Sequence, residues 1–223
     1  MNGSRICHYP HLTRAEFDDA AKHFLRQAHH AGGEDADWKW IEHERVKGFG
    51  YLATRRLLYR PTALQNSIDQ DNDDTDDSVT VKEEPDQSSI DVPSECLTVD
   101  YHIIYSSSYR VPVLYFNAYY SNGSPLSIDD IFSHVIEPSR RDDLRTAGFN
   151  GAVSQQDHPT LMIPFYYLHP CETPFLLKNI VDNTRELSEK SVVHVDGYLR
   201  SWLSLIGPTA GIKVGIGLFL DSN

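Results

Sequence analysis

The sequence predicts an α+β fold. Three features carry that expectation: an amphipathic helix near the N-terminus, a block of strand candidates after it, and helical periodicity that resumes only beyond an aromatic segment ending in a cysteine. Strands and helices fall in blocks rather than alternating, which sets the chain apart from the α/β class. At 223 residues, 40% hydrophobic and 23% charged, it suits a single domain spanning 1–223 with an insertion at about 61–96.

The first helix is expected over about 14–30. Thr13-Arg14-Ala15-Glu16 reads as a capping box, Phe17, Ala20, Ala21, Phe24, Leu25 and Ala28 recur at helical spacing, and Gly32-Gly33 ends the run. Trp38, Trp40 and the stretch from Gly48 to Tyr59 are strand candidates. Residues 61–96 contain no aromatics and carry eleven Asp and Glu against the single Lys82. Such a segment buries too little apolar surface to offset its ordering entropy, so disorder is expected there. Its acidic run lacks the glycine and terminal glutamate of a calcium loop. The net charge of −12 is concentrated in this insertion, where it reaches −10. The remainder is nearly balanced and offers no basic face for nucleic acid.

Leu97–Tyr105 and Val111–Tyr120 are the clearest strands, and the short polar link between them predicts an antiparallel hairpin. Asn122-Gly123 marks a turn. Ser127-Ile-Asp-Asp130 opens a short helix to about Ser133, and another is expected at about 139–146. Two further helices are expected near 174–184 and 191–206, the second stopping at Gly207-Pro208. The tail alternates Ile212, Val214, Ile216 and Leu218 among three glycines, and reads as a terminal strand or a loose hydrophobic tail.

Phe165-Tyr-Tyr-Leu-His-Pro-Cys171 is the segment with chemical content. An apolar strand stops at His169-Pro170, because proline has no N–H and holds the preceding residue extended. Cys171 then leaves the strand at a fixed point, a way to present a thiol. The ordinary role of a free cysteine among aromatics is a small buried hydrophobe, and residue type alone does not choose between the two. The three cysteines, Cys7, Cys96 and Cys171, form neither a zinc spacing nor a disulfide framework, which fits a reducing cytoplasm. No window is apolar enough to span a membrane, and no secretory signal core opens the chain.

Other chemistries fare poorly. Cys7, His8 and His11, or His29-His30, match no metal-ligand pattern. Nucleotide and serine-hydrolase loops are absent, and no cofactor is expected. A cysteine hydrolase needs a histidine facing Cys171; His169 is badly placed across a proline, and nothing positions His158 or His194. An acyl-carrying thiol asks for less, only access and alignment with an incoming amine.

The segments Tyr101–Phe116, Asp157-His-Pro159, Leu168-His-Pro-Cys-Glu-Thr173 and Tyr198–Pro208 resemble the autophagy-related conjugating enzymes, the family of autophagy-related protein ten above all. The sister lipid-conjugating family of autophagy-related protein three shares His-Pro-Cys and is less similar in the last segment. The resemblance implies a ubiquitin-conjugating-like fold with an N-terminal helix, an antiparallel meander, a cysteine segment and C-terminal helices. It implies that Cys171 is the thioester nucleophile, within a motif that includes His169, Pro170 and Thr173. It further implies a modifier (autophagy-related protein twelve) received from an activating enzyme (autophagy-related protein seven) and passed to a lysine of autophagy-related protein five. A catalytically inactive adaptor of the same fold is the alternative. Ordinary ubiquitin-conjugating enzymes carry an Asn ahead of the cysteine to support the oxyanion; none lies between Leu161 and Cys171 here, and Asn117 is the candidate substitute. Tyr109, Tyr115 and Phe116 are expected to pack rather than react.

Overall fold

The computed structural model describes residues 4–44, 46, 49–61, 94–146, 153–185 and 193–219. Helix α1 (Arg14–Ala31) starts at the expected capping box: the Thr13 hydroxyl accepts from the Glu16 amide at 3.2 Å while the Glu16 carboxylate accepts from the Thr13 amide at 2.7 Å. Each such pair satisfies two donors the first helical turn would otherwise leave open. Gly32, at φ 73°, ends it.

Among the described residues six strands follow: β1 (Lys39–Glu42), β2 (Gly50–Pro61), β3 (Ser94–Ser106), β4 (Val111–Tyr119), β5 (Val153–Asp157) and β6 (Pro164–Leu168). They form one antiparallel sheet in the order β1-β2-β3-β4-β6-β5. The β3–β4 hairpin is as expected. The insertion's bounds are corrected inward: Pro61 and Ser94–Cys96 belong to paired strands, with Pro61 opposite Ser94. The expectation for 62–93 lies outside the described residues. Strand β5 was not foreseen; Val-Ser-Gln-Gln-Asp buries only Val153, since an edge strand needs little apolar content.

Short helices α2 (Ile128–Asp130), capped by Ser127, and α3 (Arg141–Thr146) lie where expected. Helices α4 (Thr173–Arg185) and α5 (Val195–Ile206) follow the sheet; among the described residues α5 begins at Val195, with His194 as its N-cap, rather than at about 191.

Alternation divides the sheet's side chains between two faces. Leu97, Val99, Tyr101 and Ile103 of β3, with Leu114, Phe116 and Ala118 of β4, point inward. There they meet Phe17, Phe24 and Ala28 of α1 and Leu199, Trp202 and Leu203 of α5, forming the main core. At roughly 1.5–3 kcal/mol per fully buried large side chain, this layer dominates the fold's stability. The outer face holds a second, smaller cluster of Tyr51, Ile104, Val113, Tyr115 and Phe165.

The tail is not a strand. Residues 216–219 make a 3-10 turn, and Ile212 and Leu218 are buried. The Gly215 amide donates to Asp35 at 2.8 Å, where a Cβ would come within 2.6 Å of that carboxylate. Asp35 is itself paired with the buried Arg56 at 3.0 Å. The glycines thus serve close approach rather than extension.

Candidate active site

Strand β6 delivers Cys171. Phe165 and Leu168 are buried on opposite faces of the sheet, and two aromatic pairs lock β6 to β4: Tyr115–Tyr167 with centroids 5.6 Å apart and Phe116–Tyr166 at 6.1 Å. The strand ends where the sequence says it must. His169 is extended at φ −63°, ψ 128°, and Pro170 opens a 3-10 turn over 170–172 that runs directly into α4. Proline suits that first position, its missing N–H being one the helix start cannot pair anyway. Cys171 therefore stands in the first turn of a helix, half-buried, with Pro170 and Thr173 buried on either side of it.

His169 has a job the sequence did not reveal. Its Nδ1 accepts the Cys171 amide proton at 3.3 Å, so the imidazole caps the turn that carries the thiol. With Nδ1 accepting, the ring proton sits on Nε2 and is donated to the Tyr109 hydroxyl, 3.2 Å away. The rings meet edge to face at 5.3 Å. Tyr109 occupies the tip of the β3–β4 hairpin, where Arg110 at φ 56° makes the turn. The N-terminal segment fixes that tip: Leu12 donates to the Arg110 carbonyl at 2.7 Å, and the His11 ring contacts the Tyr109 carbonyl at 3.2 Å. Tyr115 and Phe116 pack as expected, whereas Tyr109 belongs to the cysteine site. Its partner is 60 residues away in the chain, so no local pattern could have paired them.

Burial pushes the Cys171 thiol above its ordinary range, and the neighbouring Glu172 charge adds to the effect, with Sγ 3.9 Å from its Oε1. The amides of Glu172 and of Cys171 itself oppose the rise by favouring the thiolate. A high thiol pKa has three chemical consequences. Less thiolate exists at neutral pH, but each thiolate is more nucleophilic, and it is a poorer leaving group from an acyl intermediate.

Asn117 is not brought to the thiol. Its Nδ2 donates to the Pro164 carbonyl at 3.0 Å, and with Phe116 opposite Tyr166 it faces the start of β6, whereas Cys171 follows its end. At about 3.3 Å per residue that separation is roughly 15–20 Å. His158 is equally committed elsewhere: its Nδ1 accepts the amides of Thr160 and Leu161, both at 3.1 Å, and its Nε2 contacts His102 at 2.9 Å. His194 heads α5 and bridges to Arg5. Among the described residues, no three His, Cys, Asp or Glu are grouped to hold a metal ion, and no helix is long and apolar enough to cross a membrane.

The model of the family described as autophagocytosis associated protein, active-site domain, matches residues 16–215. The chain belongs to that family. Proteins similar to this chain include ubiquitin-like-conjugating enzyme ATG10 of Arabidopsis thaliana, 33% identical over 226 residues that cover 96% of this chain and 97% of that one. ATG10 of Homo sapiens is 39% identical over 121 residues, 54% of this chain and 52% of the human protein, so that match spans about half the relative's length. The crystal structure of the autophagic E2 Atg10 superposes with a TM-score of 0.45 at 14% identity, over 90% of this chain and 98% of that one.

Proposed function

We propose that this member of the conjugating-enzyme family carries a ubiquitin-like modifier as a thioester on Cys171 and transfers it to a lysine amine. The supporting observation is the position of the thiol: half-buried, in the 170–172 turn that leads into α4, a turn capped by His169.

In the first step the Cys171 sulfur attacks the modifier's thioester on the activating enzyme; a new C–S bond forms, and the activating enzyme's thiol leaves with the proton. In the second, the lysine nitrogen attacks the Cys171 thioester carbonyl, the C–N bond forms, and Cys171 is released as a thiol. Oxidation state does not change, and no cofactor is required for either exchange. The chain's own contribution is alignment and exclusion of water around the carbonyl. The developing oxyanion needs a donor that Asn117 is too distant to supply. The Tyr109 hydroxyl accepts from His169 and so keeps its own proton to donate, which makes it the side-chain group we assign to that task.

By family resemblance the modifier is autophagy-related protein twelve, its donor autophagy-related protein seven, and the acceptor a lysine of autophagy-related protein five, the reaction taking place in the cytoplasm during autophagosome formation. Incubation with activating enzyme, modifier and ATP is expected to give a higher-mass species that a thiol reductant dissolves. Cys171→Ser converts it to a reductant-resistant oxyester or abolishes it. Charging of a Cys171→Ala chain would refute the site assignment.

A further inference from the structure

Beside Cys171 lies an apolar surface that the fold itself leaves open. Because α4 continues the 170–172 turn, Phe175 follows Cys171 by one helical turn. Residues spaced four apart share a helix face, with Cβ atoms about 5–6 Å apart. Thr173 and Leu177 take the inward side at 4% and 1% exposure, whereas Phe175 is 61% exposed and Leu176 37%. Tyr109, joined to the same turn through His169, is 40% exposed. A single exposed apolar side chain is ordinary on any surface. Phe175 differs, because it follows Cys171 by one turn on the side of the helix opposite the buried Thr173 and Leu177, so a chain attached at Sγ has this ring on its way out.

We propose that Phe175, backed by Leu176, is the specificity-determining contact for the modifier's C-terminal tail. It takes a large apolar side chain within the last two or three residues before the acyl carbonyl. This inference rests on the carrier reading of Cys171 and names what that site selects. An extended chain advances about 3.3–3.6 Å per residue, so roughly two residues span the distance from the sulfur to the Phe175 ring. The exposed carboxylate of Glu172 lies between them in sequence and disfavours an acidic tail by like-charge repulsion. The selected tail is therefore extended, apolar near its end and free of acidic residues there.

The test needs no activating enzyme. Hexapeptide thioesters with either Phe or Ser as the second residue from the acyl end are mixed with the full chain, and acylation of Cys171 is followed by mass spectrometry after acid quenching. In this exchange the Cys171 sulfur forms the new C–S bond and the peptide's thiol departs with the proton. The Phe peptide is expected to react about tenfold faster. Phe175→Ser should reduce that preference to about twofold or less, and Phe175→Leu should restore most of it. Alkylation of Cys171 by iodoacetamide should be the same in all three chains, showing that the thiol itself is unaltered. Equal rates for the two peptides on the wild-type chain, or a preference that survives Phe175→Ser, overturns the inference. If Cys171 alkylates readily yet accepts neither acyl group, the carrier reading fails, and the tail contact fails with it.

Discussion

Strand β6 is flanked by two histidine–proline pairs, His158-Pro159 before it and His169-Pro170 after it, and they make the same local device in opposite settings. In each, Nδ1 accepts an amide proton from two residues ahead, Thr160 at 3.1 Å in the first and Cys171 at 3.3 Å in the second. In each, Nε2 then reaches an aromatic partner from strand β3 or the tip beyond it, His102 or Tyr109. The settings differ in burial. His158 is 0% exposed, walled by Tyr51, Tyr115 and Phe165, and its backbone also pairs with Met162 and Ile163. His169 is only half-buried, and its partner Tyr109 lies at the surface. One histidine–proline turn is thus closed and holds a loop to the outer face of the sheet. The other is open and holds up a thiol. A shared motif does not imply a shared role; the surroundings decide.

The closed turn should be the costlier to break. Replacing His158 by Leu strips the Thr160 and Leu161 amides and His102 of their partner, and about 2–4 kcal/mol of stability should be lost in urea unfolding. The acid limb of the stability profile should change with it. Burial lowers both His102 and His158 to about 4, the nearby Asp100 opposing the shift at His102 and Arg55 reinforcing it. Since the unfolded chain binds these protons near 6.5 and the folded one only near 4, stability is fully present above about pH 6.5 and falls as the pH drops toward 4. The limiting slope is about 2.7 kcal/mol per pH unit for two protons. A chain lacking both imidazoles should show a flatter profile through this window; an unchanged profile would mean that the pair does not titrate as described.

The open turn should behave in reverse, with little stability at stake and much function. His169→Ala removes one capping interaction, worth about 0.5–2 kcal/mol. Charging of Cys171 should nevertheless slow by about tenfold, as expected for a misaligned nucleophile. Loss of stability equal to that of His158→Leu, with charging intact, would erase the contrast between the two ends. The smallest effect is electrostatic. Glu172→Gln removes the charge that helps raise the thiol pKa, so alkylation of Cys171 at pH 8 should quicken by about two- to fivefold. A slower reaction would reverse the assigned sign.

The parts of the fold written in local patterns were legible. The Thr13–Glu16 capping box and the Phe17-to-Ala28 periodicity specify α1 without help from the rest of the chain, and the β3–β4 hairpin announces itself by two β-rich runs and a short polar link. The break at His169-Pro170 was legible for the same reason, since proline imposes it on any surroundings. What escaped depends on distant partners. Tyr109 meets His169 across 60 residues, and His102 meets His158 across 56, so neither pairing leaves a trace in local spacing. Asn117 was misplaced by register: adjacency of strands was read rightly, but the antiparallel pairing sets it at the far end of β6. The tail misled because its alternation mimics a strand while Gly215 is there for contact with Asp35.

Of the cysteines Cys7, Cys96 and Cys171, a single sulfur is expected to carry the modifier. Peptide mapping of the charged protein, digested under acid conditions that preserve thioesters, tests it most directly. The modifier's tail is expected on Cys171, dependent on ATP and activating enzyme and released by hydroxylamine. Attachment at Cys7 or Cys96, or undiminished charging of a Cys171→Ala chain, would contradict it.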